Sequence, residues 1–539
     1  MRRGRPPYPG LLTPREQEVL DLLRQGLTNR QIAQRLHVSL ATANYHVSEI
    51  LSKLSVSSRE EAAALPPFAF ERRWLWLPAA LATHLHAVPS SFAVKLVGAG
   101  IVGGAGLGLL LLAVGLLTMD GRRSGTAPLA EQSGLGRLAY VIDGDLWTQP
   151  VPNGTAARLT RDGLSFQPQW SPSGDWILYR HREGDGQNLI HAAWLMRDDG
   201  SSARRLTGAV AAWSPAADSV AYVSPDGSIV VENADGSQRR TIVAPASGES
   251  LSGPAWSPDG TNVAYTETSP DASSRDGTSV RLMIVEAAGG RPRELLAWQG
   301  GILRIEAWTG DGKNLLLTRS EVVSTSLQAD GLSLWLAPVD GAPPTALALD
   351  ALTYQDFISP RPGGPEVALI EGGGRNAWAN KRLLLQNSRT GATSYVTAEG
   401  IAASSPSWSP DGAGMAYVAA PDAGKNVVGG DPARAALALR RIWIANPASG
   451  SPGQVTDDEA YRDEWPLWST DGATLLFARL DREGHASVWT LSLTSGLAEM
   501  VVPQLSVGGA LATPQPDLWF GYYGHIPWDQ LFDWWQPPD

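Results

Sequence analysis

One short string recurs through most of this chain and restricts its fold more than any other feature. Its fullest form is Pro-x-Trp-Ser-Pro-Asp-Gly followed by an apolar-Ala-Tyr run. It stands at Pro168–Gly174, Trp213–Pro215, Pro254–Gly260, Trp308–Gly312, Pro406–Gly412 and Trp468–Gly472, with a worn copy at Phe357–Pro360. From Trp170 onward the copies are spaced 43, 43, 52, 49, 51 and 60 residues apart. A repeat of that period is one supersecondary unit, unable to bury its apolar face alone and stacked on its neighbours. The residue types specify a turn: Pro presets φ, Asp accepts hydrogen bonds from the backbone, and Gly takes the left-handed position. The run behind it, as in Val263-Ala264-Tyr265, reads as a buried strand, and the Trp packs between adjacent units. A later strand ends in turns such as Asn233-Ala234-Asp235-Gly236. Arg-Leu-Thr, at Arg158–Thr160 and Arg205–Thr207, closes the unit.

This spacing is blade-sized for a β-propeller, and the string resembles the TolB-like, WD40-like propeller repeat across nearly all of residues 136–539. Seven copies are visible. Leu138-Ala139-Tyr140 and Asp145-Leu146-Trp147 look like later strands of an eighth blade that lacks its beginning. The stretch Leu511–Tyr523 is expected to supply that strand and latch the ring, giving eight blades, with seven as the alternative. The aromatic tail Trp519–Trp535 reads either as a binding patch or, in its first half at least, as ring closure. The 57 Gly and 39 Pro suit a turn-rich β protein.

Familiar catalytic signatures are missing. There is no Gly-x-Ser-x-Gly elbow, no His-Glu-x-x-His and no phosphate-binding Gly-x-x-x-x-Gly-Lys-Ser/Thr. With no Cys, thiolate nucleophiles, disulfides and thiolate metal sites are excluded. His181, His191, His485 and His525 are scattered without ligand spacing, and the repeated Asp residues read as turn residues. The expectation is therefore no enzyme, no metal and no cofactor. Convergent polar side chains in the central channel would favour a degenerate enzyme instead.

Residues 1–95 hold 12 Lys/Arg against 7 Asp/Glu, whereas the remainder holds 31 against 47. A basic head on an acidic body confines nucleic-acid contact to the head. Residues 11–65 read as four short helices. Thr13-Pro14-Arg15-Glu16 opens the first with a capping box, Val19, Leu20, Leu22 and Leu23 form its apolar face, and Gly26 ends it. Thr28-Asn29-Arg30-Gln31 caps the second, with Ile32, Ala33 and Leu36 inward. Ser39 caps the third, with Val47, Ile50, Leu51 and Leu54 inward, and Ser58 opens the fourth.

The string LTPREQEVLDLLRQGLTNRQIAQRLHVSLATANYHVSEILSKLSV is similar to the LuxR-type helix-turn-helix. That resemblance implies a four-helix domain binding double-stranded DNA as a homodimer, its third helix in the major groove. By position it places Asn44, Tyr45 and Ser48 toward the bases. Thr42, His46 and Lys53 fall near the DNA backbone or brace the helix. Thr28 and Asn29 start the second helix, where backbone N–H groups can hold a phosphate. Asn44 stands where the family often has Lys, and suits adenine. The family's usual receiver domain has no room in residues 1–10, so input is expected from the C-terminal side.

Between head and body, Leu96 to Met119 is 24 residues without a charged side chain. As a helix it would be about 36 Å long, enough to cross a hydrocarbon core of about 30 Å. Linkers occupy 66–95 and 120–135. Gly100, Gly104 and Gly108 fall on one face, where a second helix can approach closely. Lys95 and Arg122–Arg123 flank the span and favour neither orientation, so the DNA-binding head places the N-terminus in the cytoplasm and the propeller outside. The expected protein is multidomain: an all-α head, one transmembrane helix and an all-β propeller. It reads as a single-pass, membrane-anchored one-component transcription regulator whose propeller senses a ligand or protein. The alternative is an envelope interaction scaffold with a constitutive or vestigial head.

Overall fold

The computed structural model describes residues 14–36, 47, 50, 63 and 134–538, apart from 185–189, 209, 275–276, 321–330, 353, 428, 447–451, 507–520 and 522. The chain divides into two compact units, Met1–Gln132 and Ser133–Asp539.

In the first unit, α1 (Pro14–Arg24) begins at its proline. Val19, Leu20, Leu22 and Leu23 are buried, an i, i+3, i+4 stripe around one face. Gly26 sits at φ 79°. Its N–H donates to the Leu23 carbonyl at 2.9 Å and that of Leu27 to Leu22 at 3.2 Å, the paired bonds of a Schellman cap. In α2 (Asn29–Leu36), Ile32 is fully buried. Val47 and Ile50 are helical and buried, as expected of the third helix. The rest of that helix and nearly all of the fourth lie outside the described residues. So does the expected span Leu96–Met119 with Gly100, Gly104 and Gly108. No described helix is long and apolar enough to cross a membrane.

The second unit is a large all-β region of antiparallel sheets. Among the described residues its strands form eight four-stranded groups, each a meander of consecutive strands except the first. The fifth and sixth groups join at their edges through one pair, Ala351 with Glu371. Neighbouring sheets pack through shared apolar clusters, and the eighth packs back on the first through Leu138, Tyr140, Leu476, Val488 and Val502. The ring is thereby closed.

Each repeat string ends the leading strand of its sheet and turns into the next strand. At Ser257–Gly260 the Ser257 hydroxyl donates to Asp259 at 2.5 Å and accepts from the Asn262 N–H at 2.9 Å. Asp259 also accepts from the Thr261 N–H at 3.0 Å. Gly260 donates back to the Ser257 carbonyl at 2.8 Å from φ 69°. The same bonds recur at Thr309–Asp311, Ser409–Asp411 and Ser469–Asp471. These carboxyls sit below the ordinary aspartate range; at Asp259, Asp411 and Asp471 the hydroxyl bond is the main cause. The Trp side chains tie sheet to sheet. The indole N–H groups of Trp213, Trp256, Trp308, Trp408 and Trp468 donate to Gln169, Ala212, Ala255, Ser359 and Ser407 of the preceding sheet at 2.9–3.2 Å.

The latch differs from the sequence expectation. The strand completing the first sheet is Phe532–Trp535, paired antiparallel with Arg137–Tyr140. It is not Leu511–Tyr523, most of which lies outside the described residues. The reason is pattern: Phe532 and Trp534 alternate inward, and Trp528, Phe532 and Trp534 are buried in the cluster between the first and eighth sheets. Trp535 donates to the Pro172 carbonyl at 2.9 Å on one side. Gln536 bridges the Thr470 N–H and the Trp468 carbonyl on the other. The second half of the aromatic tail supplies the closing strand, and Tyr523 and Ile526 of its first half pack in the same cluster.

Candidate functional site

The head presents one described part of its expected interface. Thr28 caps α2: its hydroxyl lies 2.9 Å from Gln31 Oε1, its N–H donates to the same oxygen at 2.8 Å, and the Gln31 N–H reaches back to the hydroxyl at 3.4 Å. This reciprocal box fixes the helix start. Thr28 is exposed and Asn29 half-buried, so the helix N-terminus is open to a phosphate. Thr42, Asn44, Tyr45, His46, Ser48 and Lys53 lie outside the described residues.

A second site lies in the β unit, and sequence reasoning missed it. In five leading strands the register slips by a β-bulge just before the repeat Trp. In four of these, the residue three before the Trp takes a positive φ: Gln167 at 53°, Gly253 at 65°, Ser405 at 49° and Trp465 at 50°. Each is followed by Pro, which tolerates a bulge because it has no N–H to pair. The X-Pro step was visible in the string, but not which way it would aim the side chain.

Gln167 and Trp465 line a cavity of about 580 Å³ shared by strands of the second, third and eighth sheets and the segment leading into the latch. Asp529, Phe532 and Asp533 line it from that segment, Arg180 from the second sheet, and Trp213 from the third. Gln167 donates to Asp529 Oδ2 at 2.9 Å, and the Trp170 N–H to Asp533 Oδ2 at 2.7 Å. Burial pushes the Asp533 carboxyl up to about 6 and raises Asp529 as well, the latter helped by the charge of Asp356. Nearby, Asp356 accepts from the His525 ring at Nε2 (2.7 Å) and from the Ser405 hydroxyl (2.7 Å), one oxygen each. Burial opposes the charge of Asp356, but these two partners hold its carboxyl below the ordinary range. The His525 ring stacks on Tyr354 with centroids 3.7 Å apart. Ser405 and His525 thus both serve Asp356, which is not the relay order of a hydrolytic triad. His525, scattered in sequence, converges with Asp356 and Asp529 through the fold.

One further group has metal-ligand spacing, Asp481, Glu483 and His485. Asp481 Oδ1 already accepts the backbone N–H groups of Glu483 and His485 at 3.0 and 2.8 Å, so a turn accounts for the cluster.

Residues 10–65 match the bacterial regulatory proteins of the luxR family, and this stretch is a LuxR-type DNA-binding domain. Over 52 residues it is 48% identical to the nitrate/nitrite response regulator NarL of Escherichia coli K12, covering 10% of this chain and 24% of that protein. It is 46% identical over 52 residues to the transcriptional regulatory protein LiaR of Bacillus subtilis, covering 10% and 25%. A protein of Agrobacterium fabrum is 32% identical over 144 residues, covering 23% of this chain and 48% of its own length. The chain thus spans between about a quarter and a half of the length of these curated relatives.

Among solved structures, a Mycobacterium tuberculosis puromycin-hydrolyzing peptidase is similar at 15% identity and TM-score 0.40, over 65% of this chain and 55% of its own. Porphyromonas gingivalis dipeptidyl peptidase 4 is similar at 11% identity and TM-score 0.47, over 69% and 60%. An oligogalacturonate lyase in complex with manganese is similar at 14% identity and TM-score 0.37, over 68% and 86%. The expectation that the chain is no enzyme finds no support in these neighbours, which are peptidases and a lyase. The polar groups of this site are assembled from segments far apart in the chain.

Proposed function

We propose that this protein is a membrane-anchored one-component transcription regulator. A cytoplasmic head binds double-stranded DNA as a homodimer, and Leu96–Met119 crosses the membrane once. The β unit is an eight-bladed, TolB-like propeller outside the membrane that senses a ligand or protein. The observation that carries this reading is the LuxR-type domain at residues 10–65, with its second helix opened by the Thr28–Gln31 cap. The uncharged run of 24 residues supports the span. The closed ring of eight four-stranded groups among the described residues supports the propeller.

Base-facing roles go to Asn44, Tyr45 and Ser48. Thr28, Asn29, Thr42, His46 and Lys53 go to phosphates or helix bracing. Affinity of the full chain for its operator falls steeply with salt, as phosphate contacts require. Asn44→Ala changes the preferred sequence, whereas Lys53→Ala weakens all sequences alike. Genome-wide mapping of bound DNA checks both, and an unchanged site preference in Asn44→Ala removes the recognition-helix assignment. The convergent polar groups around Asp529 and Asp533 favour a second reading, in which the ring centre turns over its ligand; product analysis by mass spectrometry separates the two.

A further inference from the structure

We propose that the cavity at the ring centre binds a small zwitterion, a molecule carrying one ammonium and one carboxylate. Asp529 and Asp533 receive the ammonium and Arg180 the carboxylate. The cavity, about 580 Å³, falls within the range of roughly 300–1,000 Å³ that holds small ligands. Its walls carry three formal charges of two signs. Among the described residues none of the three forms an ion pair, and Arg180 Nε has no hydrogen-bond partner. Burial disfavours the charge on each of them. Part-buried charges left unpaired are costly and are retained where a partner arrives from outside.

The signs decide the class of partner. A simple cation would satisfy the two carboxyls and leave Arg180 unpaired; a simple anion would meet two carboxyls. A zwitterion compensates both. Trp213, Trp465 and Phe532 supply the apolar wall that an attached hydrocarbon or a cation over a ring prefers. The latch segment contributes Asp529, Phe532 and Asp533, so occupancy bears on the ring closure itself.

This inference deepens the sensing role above and rests on it for its consequence, though not for binding. Isothermal titration calorimetry on the full chain in mild detergent, without DNA, uses each of the twenty L-amino acids, 4-aminobutyrate and 6-aminohexanoate as probes. At least one binds. Its N-acetyl and its amide derivatives, which remove one charge each, bind about ten-fold more weakly or worse, equivalent to about 1.4 kcal/mol. Asp529→Asn and Arg180→Gln each weaken the probe by a similar factor. Absence of binding by every probe, or equal binding of the capped derivatives, overturns the proposal. The capped derivatives are read on the unaltered chain, so a misfolded variant cannot obscure the result. Operator binding is measured separately by gel shift. Loss there with zwitterion binding intact removes the regulatory reading alone, and the reverse removes the ligand alone.

Discussion

Burial lifts the Asp533 carboxyl to about 6 from an ordinary 3.8. The folded chain therefore holds this proton more tightly than the unfolded chain. The stabilisation that follows is complete below about pH 4 and is lost as pH rises through about 6, a change on the order of 3 kcal/mol. Asp533→Asn keeps an oxygen for the Trp170 N–H and removes the ionisation. We expect it to be more stable than the parent at pH 7, with a flatter profile between pH 4 and 6.5, read from urea midpoints of the β unit. A less stable variant at pH 7 contradicts the assignment. Glu464 is the opposite case. It is buried between Arg440 and Arg462, each at 2.8 Å. Glu464→Gln removes the carboxylate charge from between two buried guanidinium groups and is expected to cost roughly 3–5 kcal/mol, measured by the same unfolding.

The leading strands show what an element adds to its residues. Five are pinned to the preceding sheet by an indole N–H, and several are bent by a bulge so that the residue three before the Trp leaves the ladder. Trp408→Phe keeps the ring in place but loses the bond to the Ser359 carbonyl. The expected loss is about 1 kcal/mol. The closing Thr of the unit also acts beyond itself: Thr160, Thr397 and Thr456 accept the N–H of Leu146, Leu383 and Ile442 at 2.9–3.0 Å, anchoring strands that their short outer partners barely cover. The latch is the strand that joins the two ends of the β unit. Phe532→Ala removes a fully buried ring from the cluster that joins first and last sheets. Its cost should be about 3–5 kcal/mol, seen as a lower thermal midpoint of the β unit with operator binding by the head unchanged.

At the scale of the molecule the question is how two units communicate. If the span pairs through Gly100, Gly104 and Gly108, Gly104→Leu separates the helices. It then lowers cross-linking between chains and weakens operator occupancy in cells. Tethered heads gain effective concentration, to about millimolar through a flexible linker. Unchanged cross-linking removes pairing through that face. Orientation is tested independently: a reporter active only outside the membrane should work after Asp539, and one active only in the cytoplasm before Met1. The reverse pattern ends the sensor reading.

The repeat string determined the β unit by itself, because Ser, Pro, Asp and Gly form their turn through bonds spanning five residues or fewer. The spacing of the copies then marks seven of the eight groups without reference to anything distant. The caps of α1 and α2 were legible for the same reason: Thr28 meets Gln31 three residues on, and Gly26 stops a helix wherever it stands. The latch was not legible. A four-residue strand of alternating aromatics has no local partner, and only the eighth sheet's return to the first shows that Phe532–Trp535, not Leu511–Tyr523, fills the gap. The ring-centre site was hidden for a stronger reason. Gln167 meets Asp529 and His525 meets Asp356 across 362 and 169 residues, separations that no motif spans. Their titration and charge balance arise from burial, which exists only once the ring has closed.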